Sequence, residues 1–157
     1  MTNLHRRTFL KGTLATAAVG LAAAAGLLKP TPVLAAEWPS AAFDAKNLDE
    51  AIKGLYKADA RTASGSIVIT AEPLAEIGNN VPFAVSTSLP NVDSMSIFVE
   101  KNDRPLVASL NLKGAGGYFS LRMKMARTSD VHVVCRSGGK LYVAKRNIKV
   151  TVGGCGG

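Results

Sequence analysis

Val131-His132-Val133-Val134-Cys135-Arg136, then Ser137-Gly138-Gly139, then Leu141-Tyr142-Val143-Ala144-Lys145, is the stretch that decides the fold of this chain. Val131, Val133 and Cys135 recur with period two, which places them on one face of a strand turned toward a core. The Gly pair supplies the positive φ that a tight hairpin turn needs, so the second run folds back antiparallel on the first. Ile148-Lys149-Val150-Thr151-Val152 then reads as a terminal strand.

Period two also governs the residues before the hairpin. Ser66–Thr70, Val81–Thr87, Ser94–Glu100, Val107–Leu112 and Tyr118–Met123 are strand candidates. They are separated by Gly78-Asn79-Asn80, Leu89-Pro90-Asn91, Lys101-Asn102-Asp103-Arg104-Pro105 and Gly114-Ala115-Gly116-Gly117, all rich in turn residues. Upstream the period changes. Asn47 with Glu50 three residues later forms a capping-box pattern, and Leu48, Ala51, Ile52 and Leu55 make one helical stripe. Glu37-Trp38-Pro39 before it reads as a loop or a proline-led first turn. The fold class expected is mainly β: an Ig-like antiparallel β-sandwich with a short N-terminal helix and a flexible C-terminal Gly-Gly-Cys-Gly-Gly arm. The sole tryptophan, Trp38, precedes the strands, so the Cys…Trp…Cys core of antibody domains is absent.

Residues 1–35 read as an address rather than as part of the domain. His5-Arg6-Arg7-Thr8-Phe9-Leu10-Lys11 resembles a twin-arginine export signal, with Arg6 and Arg7 as the paired arginines. An alanine-rich apolar stretch, Thr13 to Leu28, and the small-residue pattern Val33-Leu34-Ala35 follow, so cleavage is expected after Ala35. The apolar stretch falls short of the ~20 apolar residues of a spanning helix, and no membrane association is expected after its removal. The organisation read from the sequence is 1–35 signal peptide, 36–152 domain and 153–157 arm, and the location expected is the periplasm.

Removing that leader changes the charge argument. The chain has 19 basic and 11 acidic residues, and Arg6, Arg7, Lys11 and Lys29 lie in the leader, which leaves 15 against 11. No basic run interleaved with aromatics survives, so nucleic acid is not an expected partner. Arg122, Lys124, Arg127, Lys145 and Arg146 form either an anion-attracting patch or an ordinary solvated face.

Enzyme chemistry needs convergent groups, and few are found. His132 is the only histidine outside the leader and lies on the strand face opposite Cys135, which disfavours a Cys–His dyad. One His and two separated Cys give no zinc-type spacing, and no phosphate loop, dinucleotide fingerprint or nucleophile elbow occurs. No catalytic residue, metal site or cofactor is expected. Asp44, Asp49, Glu50 and Asp59 read as solvated helix-region charges.

There remains Cys155, flanked by Gly153 and Gly154 on one side and Gly156 and Gly157 on the other. Glycine adds backbone freedom and almost no width, so the five residues read as a thin arm with a reactive tip. The thiol has its ordinary pKa of about 8.5 to draw on, roughly 3% thiolate at neutral pH, with no neighbouring base. Four or five extended residues beyond Val152 span roughly 13–17 Å, enough to enter another protein's cleft. These traits suit a carrier, which is acted on by enzymes and is not one. Cys135 reads as a small apolar thiol in the core. A Cys135–Cys155 bridge stays open, and with it the alternative of a small exported thiol–disulfide exchange protein using both cysteines.

Lys149-Val150-Thr151-Val152-Gly153-Gly154-Cys155-Gly156-Gly157 closely resembles the terminus of the SoxY family, sulfur-carrier subunits of the periplasmic Sox pathway. The likeness extends through Asn80-Val81-Pro82-Phe83, Ile97-Phe98-Val99-Glu100-Lys101-Asn102 and Pro105 to Leu110. The resemblance implies an Ig-like carrier that works as a SoxYZ heterodimer with SoxZ. It also implies that Cys155 is the point of covalent attachment for thiosulfate or another reduced sulfur species. In that family haem-containing SoxAX makes the linkage, SoxB releases sulfate, and in some organisms SoxCD oxidises the remaining sulfane sulfur. Cys135 departs from the family pattern as read here.

Overall fold

The computed structural model describes residues 38–112 and 114–151. The leader 1–35, with Arg6 and Arg7, and the arm 153–157, with Cys155, lie outside the described residues.

The described chain is mainly β, with two helices. Helix α1 spans Ser40–Phe43 and helix α2 Leu48–Tyr56. Pro39 opens α1, its carbonyl accepting Ala42 N–H and Phe43 N–H. Asn47 caps α2 as its sequence predicts: Oδ1 accepts Glu50 N–H at 2.9 Å, satisfying one of the free amides of the first turn. Lys57 closes the helix in the left-handed conformation. No helix among the described residues is long and apolar enough to cross a membrane.

Nine strands follow: β1 (Thr62–Ala63), β2 (Ile67–Ala71), β3 (Leu74–Ala75), β4 (Val81–Thr87), β5 (Val92–Val99), β6 (Leu106–Asn111), β7 (Tyr118–Met123), β8 (Ser129–Ser137) and β9 (Lys140–Val150). The larger sheet runs β1-β9-β8-β5-β6, with β3 also paired to β9; the smaller is β2-β4-β7. The β8–β9 turn forms as expected. Gly138 and Gly139 both have positive φ, 55° and 76°, and Ser137 pairs with Lys140 across them.

One core lies between the sheets. The smaller sheet sends Ile67, Val81, Phe83, Val85 and Met123 into it. The larger contributes Met95, Ile97, Val99, Val131, Val133, Cys135 and Ile148. The other face of the larger sheet carries a second core, in which Ala42, Ala45, Ala51 and Ile52 pack on Phe98, Leu106, Val134 and Leu141. Strand β5 is therefore buried on both faces from Ser94 to Val99, which is why it lacks polar alternation. Tyr56 fixes the end of α2 to this sheet by donating to Ser96 Oγ at 2.8 Å.

Three features differ from the sequence reading. The break expected between Leu141–Lys145 and Ile148–Val152 is absent: β9 runs continuously from Lys140 to Val150. Arg146 sits on its core-facing side but extends to an edge, where Nη1 donates to Ile69 O at 3.0 Å. Strands β1 and β3 are two residues each and too short to show any period. A second helix, α1, precedes the expected one.

Phe98 is fully buried between α2 and the larger sheet. Phe98→Ala is expected to cost about 3–5 kcal/mol of stability, through lost burial and the cavity left behind. A shift of the urea midpoint without a change in slope measures it.

Candidate functional site

Residues 153–157 follow the end of β9, and restraints from β3 and the residues beside it, from Thr128 and from Gly78 converge there. Strand β3 pairs in parallel with it, Leu74 with Lys149 and Ala75 with Val150. Lys149 N–H donates to Pro73 O at 2.9 Å and Thr151 N–H to Ala75 O at 3.1 Å, with Thr151 Oγ1 donating to Glu76 O at 3.2 Å. From the opposite side Thr128 Oγ1 accepts Val150 N–H at 3.0 Å. Gly78 completes the junction: its carbonyl accepts Met125 N–H at 2.7 Å. A Cβ there would lie 2.6 Å from Met125 O and 2.8 Å from Val150 Cγ1, so only glycine permits this approach.

The loop carrying Met125 is itself braced. Asn102 Nδ2 donates to Lys124 O at 2.8 Å, and Asn102 Oδ1 accepts Ala126 N–H at 3.0 Å. The chain thus leaves from a fixed point at Thr151. Cys155 follows four residues later, at most about 14 Å of extended chain away.

Cys135 occupies the opposite kind of place. It faces the inter-sheet core between Met95 and Tyr142, has no exposed surface and is a free thiol. Burial pushes its pKa up to about 11, since a thiolate there would lose its hydration. Only about one molecule in ten thousand is ionised there at neutral pH. The sequence reading of a buried, unreactive thiol is what the structure gives, and thiol–disulfide exchange is left without its second accessible sulfur.

His132 lies on the face opposite Cys135, as expected, but it has company that the sequence reading missed. Its Nε2 is 3.0 Å from Glu100 Oε2, and Asp130 completes a group whose ligand-type atoms lie within 4.8 Å of one another. Asp130 and His132 share a face of β8 as neighbours two apart, and Glu100 follows the adjacent β5. The Asp-x-His spacing was the readable signal; Glu100 was not, because register brings it there. Asp130 accepts from Asn147 Nδ2 at 2.7 Å and Lys145 Nζ at 3.0 Å, on different oxygens. Those bonds, Asn147's first, hold its pKa below the usual carboxylate value, and Asp130 in turn raises that of Lys145. Both Asp130 oxygens are engaged already, so the group is a hydrogen-bonded surface network as it stands.

The five basic residues do not form one patch. Lys145 is paired on the larger sheet, Arg146 bridges to the Ile69 carbonyl, and Arg122 on β7 donates to Asn80 Oδ1 at 3.3 Å. Asp49 and Asp44, read as solvated charges, pair with Arg61 and Arg104 at 2.7 and 3.3 Å.

The family model for sulfur oxidation protein SoxY matches residues 52–155, from within α2 to Cys155 itself. The chain belongs to the SoxY family. A solved structure, the sulfur carrier protein SoxY from Chlorobium limicola f thiosulfatophilum, is 40% identical, with a TM-score of 0.61. The similarity covers 68% of this chain and 97% of that one. A chain from a structure concerning T cell specificity and activation by the bacterial superantigen toxic shock syndrome toxin-1 has a TM-score of 0.38 at 11% identity. It covers 54% of this chain and 99% of that one, and carries no argument. Among curated proteins nothing matches. The SoxY segments quoted from the sequence fall on β4, on β5 with the loop after it, on β6 and on β9, so they include Asn102 and the strand that ends at the arm.

Two outcomes are expected from this geometry. Gly78→Ala forces backbone apart at the arm base and should cost about 1–3 kcal/mol, read from chemical denaturation. Asp130 has a folded pKa below its ordinary 3.8, so its contribution to stability is complete above about pH 5 and is lost as pH falls through the folded value. Asp130→Asn should therefore lower stability at neutral pH and flatten its acid dependence below about pH 4, measured as Tm against pH.

Proposed function

We propose that this SoxY-family chain is a covalent carrier of sulfur intermediates, thiosulfate and related species, attached through Cys155. The observation that carries the reading is the family match running through Cys155, together with a domain that clamps the chain four residues before it. The glycines Gly153, Gly154, Gly156 and Gly157 let the tip enter a narrow cleft, and the anchored base makes the domain the handle.

The chemistry balances only with outside help. Joining the Cys155 thiolate to the outer sulfur of thiosulfate forms one S–S bond and releases two electrons; in this family a haem-containing SoxAX protein accepts them. Water then attacks the sulfonate sulfur of Cys155–S–S–SO₃⁻, breaking its bond to the sulfane sulfur. Hydrogen sulfate leaves and a persulfide stays on Cys155, the step assigned to SoxB. SoxCD, where present, oxidises that sulfane sulfur further. The sequence from Val150 to Gly157 supplies no basic side chain beside Cys155, which supports reading the thiol as a substrate of partner enzymes.

The leader with Arg6-Arg7 supports export to the periplasm by the folded-protein route, carrying SoxZ along as the second subunit. We read the sheets as Ig-like: β2-β4-β7 facing β6-β5-β8-β9, with the first part of the chain crossing from one sheet to the parallel edge of the other.

Intact mass after incubation with thiosulfate and the oxidising partner should show a thiosulfate adduct that Cys155→Ala abolishes. An adduct of undiminished yield in that variant would overturn the reading.

A further inference from the structure

The base of the arm has an apolar edge that the fold does not use. Among the described residues the large apolar side chains left exposed are Trp38, Val68, Leu74, Ile77 and Tyr118. Leu74 is 48% and Ile77 57% exposed. They flank Ala75 and Glu76, the two residues whose carbonyls hold Thr151. Ala75 O is 3.1 Å from Thr151 N, and Leu74 and Ile77 lie one and two residues from Ala75. Both are therefore within about 10 Å of the point where the arm departs.

Reach turns this neighbourhood into a contact. Cys155 lies at most about 14 Å of fully extended chain from Thr151. Any enzyme that acts on the thiol must bring its reacting centre within that reach, and a cleft that shields the centre from water takes up part of the length. The rim of the cleft is then held against whatever surrounds Thr151. Exposed apolar side chains at that location supply surface that gains by being covered.

We infer that Leu74 and Ile77 form a docking collar for the apolar cleft rim of the enzyme that oxidatively joins sulfur to Cys155. This rests on the carrier reading above and names the surface its partner uses. The collar acts in recognition, while the thiol and the partner's redox centre supply the chemistry. Because β3 carries Leu74, leads within two residues to Ile77 and pairs with the end of β9, a partner seated on the collar is aligned with the arm base.

The test uses the full heterodimer. Leu74→Ser and Ile77→Ser, singly and together, are compared with the unsubstituted protein in partner-catalysed thiosulfate conjugation followed by intact mass. The double variant is expected to need roughly 10-fold more carrier for half-maximal rate, with the rate at saturation kept within about 2-fold. Its Cys155 should react with a small disulfide reagent at an unchanged rate, and its heterodimer and Tm should be preserved. Inserting four glycines between Val152 and Gly153 relieves the forced contact, so the defect should shrink to within about 2-fold in that background. An unchanged half-saturation in the double variant, a defect that persists undiminished with the longer arm, or loss of the heterodimer overturns the collar. Failure of the carrier reading is seen separately, as conjugation of the unsubstituted protein that does not require Cys155.

Discussion

Strand β9 is hydrogen-bonded on both sides, and the rest of the molecule depends on that. One flank pairs with β8 from Ser129–Ile148 to Ser137–Lys140. The other meets β1 at Tyr142 and Val143 and β3 at Lys149 and Val150. A slip of one residue would turn every side chain to the wrong face, taking Ala144 and Ile148 out of the inter-sheet core and Leu141 and Val143 away from the helices. The turn at Gly138-Gly139 sets the register at one end and the parallel clamp at the other. Between these limits the place where the chain departs from the domain is not adjustable.

Much of this was legible in the sequence, for physical reasons that differ by element. Strands β4 and β7 match their expected limits because half-buried strands alternate in polarity, and Asn47 announced its helix because a cap has a distinctive chemistry. The continuity of β9 was hidden by Lys145-Arg146-Asn147, which resembles a break in polarity. Two of those side chains serve Asp130 on the outer face, and the third reaches a carbonyl at the sheet edge. Strands β1 and β3 were invisible because two residues carry no period, and a parallel pairing between distant segments leaves no local mark. The candidate site divides the same way. The glycine-flanked cysteine declared itself, but Gly78, Thr128 and Asn102 matter through contacts that only the folded chain brings together.

Cys135 is set apart by its environment. Cys135 takes a core position that a small apolar residue would fill equally well, and the same burial that packs it suppresses its ionisation. On the proposed carrier reading, a second reactive sulfur on the domain surface would compete with Cys155 for the same oxidant. Placing it between the sheets removes that competition without altering the sequence chemistry of the arm.

The parallel pairing at the end of β9 has a mechanical meaning as well. Tension applied along the axis of β9 loads its bonds to β8, β1 and β3 in shear, so they must yield together. Had the tail left from a terminal strand lying across the direction of pull, the same bonds would open one after another like a zipper. A pull on the chain at Thr151 along this axis therefore works against the whole sheet rather than against one bond at a time.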